Sequence, residues 1–503
     1  MRRLAPLFLL LSSLGACETR GALVAPGDNI TVALGDATTA VAPAKAPQLV
    51  DLATRLDRDT ATATKTTRIT ARIRVDAGKI AMKQRPPIDL ALVVDTSGSM
   101  VGAPIDEART AALALLAGLR DGDRLTVVTF DTKARVLVSP FVVDRSKLEP
   151  TRKALATMAA RGTTDLAAGL SLAVQQTTSS GIPEAARRMV ILGDGVPNDP
   201  SPIPQYVAAA KSYGISISTL GFGLEYDETL LAQIAKDTGG RFHRIAPGEP
   251  IETAFATEVM RIERTVASNV VVRMQPGPGV TIERIVGHAS APDQSRAHTV
   301  ALTDLAEGQH QDLFVELTVS AHTAGASVEL LDTTVAYDDR TANAGRVEKS
   351  EFTAVAAGDE DRTTDPEITR EVALARIATA SIDAISMARV GNFEGADTLL
   401  QGALSQAKKL ADANDEAVLR ARAEELAALR KTLTDDRKRW EKADREAQRA
   451  IAREKGKPSR TGPLVGAAPA SGALPIAREP MPAGDLDTVK RVHSRAVDTL
   501  QPQ

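Results

Sequence analysis

The sequence predicts an α/β protein in which a doubly wound, mostly parallel sheet is flanked by a β-sandwich domain and a C-terminal α-helical hairpin region. Between Ile88 and Val266, short apolar strands alternate with amphipathic helices, which is the pattern of a parallel sheet covered on both faces. On either side of this stretch, apolar residues recur at every second position, as in half-buried antiparallel strands. After Asp365, apolar residues recur at every third or fourth position, which is the spacing of an amphipathic helix.

The elements of the α/β segment follow from these periods and from glycines placed where helices end. The predicted strands are 90–94, 124–130, 135–138, 188–192, 215–221 and 241–245, of which 135–138 is an antiparallel edge strand. The predicted helices are 105–119, 145–159, 165–176, 204–213 and 228–236. Doubly wound sheets bind their ligands at the carboxyl ends of the strands, so we expect the functional residues there.

Composition supports a folded chain and excludes several functions. Of the 503 residues, 43% are hydrophobic and 25% are charged, which is enough apolar material for about three domains of ~150 residues. The 61 basic and 64 acidic residues give a net charge of −3, which argues against a nucleic-acid binder driven by charge. Aromatic residues make up 3% of the chain, too few for a base-stacking platform.

The N-terminus predicts a lipoprotein signal peptide at residues 1–17. Two arginines precede an apolar run from Leu4 to Leu14 that is too short to span a bilayer. Small residues then precede Cys17, the single cysteine, and this order resembles the lipobox of bacterial lipoproteins, in which the cysteine is lipidated. Acyl chains on Cys17 would anchor the protein in the cell envelope, and Glu18 favours the outer membrane. Ordinary cleavage near Ala16 with a free cysteine is the alternative.

The rest of the chain divides by composition and period. The predicted segments are a flexible tether at 18–66, β-sandwich strands at 67–85 and 267–357, the α/β domain at 86–266, an α-helical region at 365–455 and a mostly disordered tail at 456–503. The two β segments are interpreted as one domain split by insertion, and a separate small β-domain is the alternative. The helical region is interpreted as a packing module, with a dedicated partner-binding coil as the alternative.

Three loops at the carboxyl ends of strands carry oxygen-bearing side chains. They read Asp-Thr-Ser-Gly-Ser at 95–99, Gly-Thr-Thr-Asp-Leu at 162–166 and Gly-Asp-Gly at 193–195. Carboxylate and hydroxyl oxygens suit a hard cation, with Mg²⁺ favoured and Mn²⁺ or Ca²⁺ as alternatives. The first loop alone also fits a helix N-cap, but the three loops in this order favour a metal site.

These loops resemble the metal-ion-dependent adhesion site of the von Willebrand factor type A (VWA) family, across roughly residues 86–266. The resemblance implies a divalent cation held by Asp95, Ser97, Ser99, Thr164 and Asp194. Thr163 is the alternative to Thr164, and Gly193 replaces the usual threonine without removing an implied ligand. Three neutral hydroxyls and two carboxylates would leave the cation able to accept an acidic group from a protein partner.

Enzyme motifs do not accompany these loops. The six histidines form no His-Glu-x-x-His motif, and the sequence contains no Gly-x-Ser-x-Gly elbow or Walker loop. We therefore expect a non-enzymatic lipoprotein of the bacterial cell envelope, on a periplasmic or surface face, that mediates metal-dependent adhesion to a protein and binds no nucleic acid. The alternative is a structural or assembly subunit in which the metal only rigidifies the domain.

Overall fold

The computed structural model describes residues 49–79, 87–179, 182, 185–223, 226–246, 248–341, 345–358, 365–414, 416–455 and 486–503. Within these ranges the chain forms three β-sheets and a set of C-terminal helices. The predicted signal peptide, with Cys17, and most of the predicted tether lie outside the described residues. Among the helices that the structure describes, none is both long and apolar enough to cross a membrane.

Three strands precede the α/β domain. They are β1 (Val50–Leu56), β2 (Thr60–Thr62) and β3 (Thr67–Ala77). The first two fall within 18–66, so the predicted flexible tether is wrong from Val50 onward. β1 pairs antiparallel with β3 and buries Val50 and Leu52, because alternate apolar residues face the core although the composition is polar.

The α/β domain alternates strands with helices. Its elements are β4 (Ile88–Asp95), α1 (Ala103–Gly118), β5 (Arg124–Phe130), β6 (Ala134–Val142), α2 (Glu149–Ala156), α3 (Leu166–Ser179), β7 (Ala186–Gly193), α4 (Ile203–Ser212), β8 (Ser216–Gly221), α5 (Glu228–Thr238), β9 (Phe242–Arg244) and α6 (Ile251–Glu263). The sheet order is β6-β5-β4-β7-β8-β9, and every pair is parallel except β5 with the edge strand β6. β4 and β5 are buried along their whole length, as in strands covered on both faces. The predicted doubly wound sheet is confirmed.

A second run of strands follows the α/β domain. These are β10 (Thr265–Pro276), β11 (Val280–Ile285), β12 (His298–Ala301), β13 (Leu305–Ala306), β14 (His310–Val319), β15 (Ser327–Asp339) and β16 (Gly345–Gly358). Two sheets result, with orders β1-β3-β14-β11 and β12-β10-β15-β16-β2, and β13 pairs with β10. Both sheets contribute to one apolar core, for example through Ile73, Val315 and Val272. Strands from both sides of the α/β domain share each sheet, so this domain is inserted into the sandwich.

The two connections to the inserted domain lie side by side on the sandwich. The Glu307 main-chain N–H donates to the carbonyl of Arg264 at the exit of the domain, 2.8 Å away. The next N–H, that of Gly308, donates to the carbonyl of Ala77 at the end of β3, 2.9 Å away. Entry and exit are therefore held by two consecutive peptide groups of one turn.

Four helices complete the described chain. They are α7 (Pro366–Arg389), α8 (Phe393–Asn414), α9 (Ala417–Lys455) and α10 (Leu486–Leu500). α10 falls within 456–503, so the predicted disordered tail is wrong for this helix. Val489, Val492, Ala496 and Val497 supply the apolar part of its buried face at helical spacing, and the polar side chains of Lys490 and His493 are buried with them.

Candidate metal site

Three loops converge at the carboxyl edge of the central strands. Asp95 ends β4, and Ser97 and Ser99 follow it around the short 3-10 turn Gly98–Met100. Asp194 directly follows β7, the parallel neighbour of β4, so the two carboxylates fall at the same edge of the sheet. Thr164 reaches this edge from the loop before α3.

Direct hydrogen bonds link the first and third loops. The Ser99 hydroxyl donates to Oδ1 of Asp194 over 2.7 Å, and the Oγ atoms of Ser97 and Ser99 are 3.0 Å apart. The Ser97 main-chain N–H donates to Oδ1 of Asp95 over 2.7 Å. Four of the five residues implied by the resemblance thus form one continuous hydrogen-bonded cluster.

Thr164 adjoins this cluster through the surroundings of Gly195. A Cβ on Gly195 would lie 2.7 Å from Oγ1 of Thr164 and 3.4 Å from Oδ2 of Asp95, so both side chains closely approach this glycine. The Asn198 N–H donates to the Thr164 carbonyl over 2.9 Å and ties the second loop to the third. Thr163 is exposed, and its N–H donates to Oγ1 of Thr132 over 3.1 Å. The structure therefore places Thr164 at the cluster and Thr163 outside it.

Main-chain hydrogen bonds hold the first loop against the second. The Gly98 N–H donates to the Gly162 carbonyl over 3.0 Å, and the Arg161 N–H donates to the Thr96 carbonyl over 2.7 Å. A Cβ on Gly98 would lie 3.2 Å from the Gly162 oxygen, so glycine permits this close approach. The positions of the hydroxyls are therefore fixed by backbone contacts that do not depend on a ligand.

The electrostatics of the cluster centre on Asp95. Its side chain is fully buried, and burial is the main cause that raises its pKa to about 7, while hydrogen bonds from Ser97 oppose the shift and the charge of Asp194 adds to it. Within the described chain, Oδ2 of Asp95 is buried without a hydrogen-bond partner of normal geometry. A buried carboxylate oxygen left in this way costs free energy unless a positive group compensates it. The N–H of Gly195 also lowers this pKa, so the cluster presents a buried carboxylate that has main-chain and hydroxyl donors and a second carboxylate near it but no cationic side chain among the causes of its shift.

Hydroxyl oxygens distinguish this cluster from most protein metal sites. Over the ranges that the structure describes, no group of three or more His, Cys, Asp or Glu side chains could hold a metal ion. Any cation at Asp95 and Asp194 would therefore depend on the serine and threonine oxygens for the rest of its protein ligands. Such a set of hard, mostly neutral oxygens matches the preference of Mg²⁺, Mn²⁺ and Ca²⁺.

Sequence reasoning missed a set of charged residues at the start of α5. Near the site, a Cβ on Gly223 would be 3.8 Å from Cβ of Asp194. At the start of α5, Lys490 of α10 donates to the Tyr226 carbonyl over 2.6 Å and lies 3.2 Å from the Glu228 carboxylate. Arg389 of α7 also contacts Glu228, at 2.6 Å. Spacing gives no sign of these contacts, because they join residues more than 150 positions apart.

Comparison with known proteins agrees with the fold. Residues 89–255 match the model of the von Willebrand factor type A domain. The chain is similar to the uncharacterized protein sll0103 of Synechocystis sp., with 28% identity over 280 residues, 53% of this chain and 66% of that protein. It is also similar to the uncharacterized protein YfbK of Escherichia coli, with 28% identity over 273 residues, 52% of this chain and 47% of that protein. The chain thus spans less than two thirds of either relative.

A solved structure extends the likeness beyond the inserted domain. The structure of von Willebrand factor type A from Catenulispora acidiphila superposes with a TM-score of 0.59 at 16% identity, and covers 76% of this chain and 90% of that chain. At this identity the likeness concerns the fold alone. The chain therefore contains a von Willebrand factor type A domain at residues 89–255, in a VWA-type α/β fold.

Proposed function

We propose that the VWA domain binds a divalent cation through the five-residue cluster and, through that cation, an acidic group of a protein partner. The proposed ligands are Asp95, Ser97, Ser99, Thr164 and Asp194. The observation that carries the proposal is the buried Oδ2 of Asp95, which lacks a hydrogen-bond partner of normal geometry among the described residues and lies beside the other oxygens. VWA domains are commonly protein-interaction modules, which supports recognition rather than catalysis.

The donor set explains why a cation would still attract a partner. Mg²⁺, or alternatively Mn²⁺ or Ca²⁺, would meet at most two negative charges and three neutral hydroxyls in this cluster. When bound, the ion supplies electrostatic attraction for one further anionic oxygen. Ser99 is exposed whereas Ser97 and Asp95 are buried, so the cluster is open to solvent on the Ser99 side. A carboxylate of a partner would approach from that side.

The cellular setting is part of the same proposal. We infer from the lipobox-like order of residues 1–17 that Cys17 is lipidated and anchors the protein in the bacterial envelope, with the outer membrane favoured. Mass spectrometry of the N-terminal fragment should then find an acylated Cys17. A Cys17→Ser variant should leave the membrane fraction, and membrane retention of that variant would contradict the anchor.

Calorimetry on the full chain tests the cation. We expect saturable binding of Mg²⁺ to the wild type and its loss in Asp95→Asn, while Asp144→Asn serves as a matched control because Asp144 pairs with Lys147 far from the cluster. Mn²⁺ and Ca²⁺ are titrated in parallel to rank the ions. Absence of binding by folded wild-type protein would overturn the proposal.

A second titration separates recognition from a purely structural metal. A glycine-rich peptide with one aspartate should bind only when the cation is present, and its asparagine analogue should not. If the cation raises the melting temperature but no aspartate peptide binds, the result favours the alternative of a structural or assembly subunit whose metal rigidifies the domain.

A further inference from the structure

Two exposed valines border the proposed cation site. Val101 is 66% exposed and follows Ser99 by two residues, and Val196 is 40% exposed and follows Asp194 by two residues. Because Ser99 and Asp194 are hydrogen-bonded to each other, both valines lie on the rim of the same cluster. They are two of the eight large apolar side chains exposed in the described part of the chain, so exposed apolar side chains next to the cluster are an uncommon feature of this surface.

A basic group borders the cluster on its other side. Asp131, which directly follows β5, contacts Arg135 at 2.6 Å and Arg161 at 3.1 Å, and these guanidinium side chains are 42% and 62% exposed. Two guanidinium side chains therefore flank one buried carboxylate, and the exposed Lys133 donates to the same carboxylate through its main-chain N–H, 3.1 Å away. Arg161 contacts Asp131 through Nε and its side chain is largely exposed, so its terminal N–H groups can donate to a further acceptor.

Sheet topology places these two borders on opposite sides of Asp95. The order β5-β4-β7 puts the end of β5, with the basic group, on one side of the Asp95 strand and Asp194 with Val196 on the other. The N–H of Arg161 donates to the Thr96 carbonyl, so this arginine begins next to the first loop. Across the strand order β5-β4-β7, the basic group therefore comes first, the cation site second and the apolar rim third.

We propose that this surface binds a protein segment in which a central acidic residue has an apolar residue on one side and a second acidic residue on the other. The central carboxylate meets the cation, the second carboxylate meets Arg161, and the apolar side chain packs on Val101 and Val196. The inference rests on the proposed function and specifies the partner of the same site. Guanidinium groups favour carboxylates as paired acceptors, and burying a valine against valines removes apolar area from water.

Fluorescence anisotropy with the full chain in Mg²⁺ tests this specificity. The probes are labelled peptides with Gly-Ser flanks and the cores Val-Asp-Gly-Asp, Ser-Asp-Gly-Asp, Val-Asp-Gly-Asn and Val-Asn-Gly-Asn, each also made with the core reversed. We expect the first core to bind most tightly in one of its two directions. Loss of its valine should weaken binding about tenfold, loss of its second aspartate about threefold, and loss of both aspartates or of Mg²⁺ should abolish binding.

Variants assign each contact. Val101→Ser together with Val196→Ser should remove the preference for valine, and Arg161→Gln should remove the preference for the second aspartate, with Mg²⁺ affinity unchanged in calorimetry. Val418→Ser and Arg273→Gln are matched controls, because both residues are exposed on elements outside the α/β domain. If Mg²⁺ binds but the peptides bind equally or not at all, the inference is overturned while cation binding stands. If Mg²⁺ itself does not bind, the proposed function fails and the inference fails with it.

Discussion

At the scale of single residues, Gly195 decides whether the cluster can keep its shape. A Cβ at this position would lie 2.7 Å from Oγ1 of Thr164, a separation that side chains do not tolerate. We expect Gly195→Ala to displace Thr164 and to lower the affinity for the cation at least tenfold, an effect of about 1.4 kcal/mol or more, with the fold retained. Calorimetry measures this affinity.

Gly193 offers the matched control for this substitution. A Cβ there would meet its nearest atom, Oδ2 of Asp95, at 3.8 Å, which is an ordinary contact. Gly193→Ala should therefore bind the cation as the wild type does. Equal behaviour of the two alanine variants would contradict the close packing of Thr164 against Gly195.

Asp95 should lower the stability of the cation-free protein. Burial raises its pKa to about 7, so at pH 8 the folded chain holds an unfavourable buried charge that the unfolded chain avoids. Asp95→Asn should raise the free energy of unfolding in EDTA at pH 8 by about 1 to 3 kcal/mol and abolish cation binding. The gain should disappear as the pH falls to 4, where the wild-type carboxyl is protonated when folded. Urea denaturation at the two pH values measures this; a destabilised variant at pH 8 would sink the prediction.

At the scale of elements, α10 depends on a buried charge cluster. Lys490 and Glu228 are each 1% exposed and 3.2 Å apart, and Nζ of Lys490 also lies 3.5 Å from the ring centroid of Tyr226. Removing one member of such a buried pair costs about 3 kcal/mol, moderated here because Arg389 still contacts Glu228. We expect Lys490→Met to destabilise the protein and to increase hydrogen exchange along α10. The exposed neighbour Arg491, changed to Met, should alter neither measurement.

The same helix should make stability sensitive to acid. Burial lowers the pKa of His493 from 6.5 to about 4, so the folded protein keeps this imidazole neutral while the unfolded chain binds a proton below about pH 6.5. Its contribution to stability is therefore complete above pH 6.5 and decreases as the pH falls toward 4. The total loss is about 3 kcal/mol at most.

Denaturation between pH 7 and 4.5 measures this decrease. His493→Gln should flatten the slope of unfolding free energy against pH, whereas Arg491→Gln, at an exposed position of the same helix, should leave it unchanged. Identical slopes in wild type and His493→Gln would show that other groups cause the acid sensitivity.

The elements were predicted correctly where apolar residues follow a strong period. They were missed where the segment was interpreted from its composition. The strands of the α/β domain follow from continuous apolar runs such as 90–94, which lie within the fully buried β4. β1 and α10 were missed because each has few buried apolar residues, and these lie among polar residues. In β1 the buried residues are Val50 and Leu52, which are too few to make the average composition of the segment apolar.

At the scale of the whole molecule, the residues of the candidate site could be predicted from the sequence, but their arrangement in space could be predicted only in part. Loop motifs identify Asp95 and Asp194, and the parallel pairing of β4 with β7 brings them to one edge. The charged contacts around Glu228 could not be predicted, because Lys490 and Arg389 reach this carboxylate from helices distant in sequence. Contacts of that kind depend on tertiary packing, which local sequence patterns do not reveal.

The paired connections of the inserted domain have a consequence for how such chains diversify. Consecutive N–H groups of Glu307 and Gly308 hold the two ends of the domain, so it occupies the place of a short crossover between β3 and β10. Recombination at two junctions, one after β3 and one before β10, could exchange the domain without altering the pairing of any sandwich strand. The binding properties of the inserted domain can therefore change in evolution independently of the sandwich, whose sequence is constrained by folding.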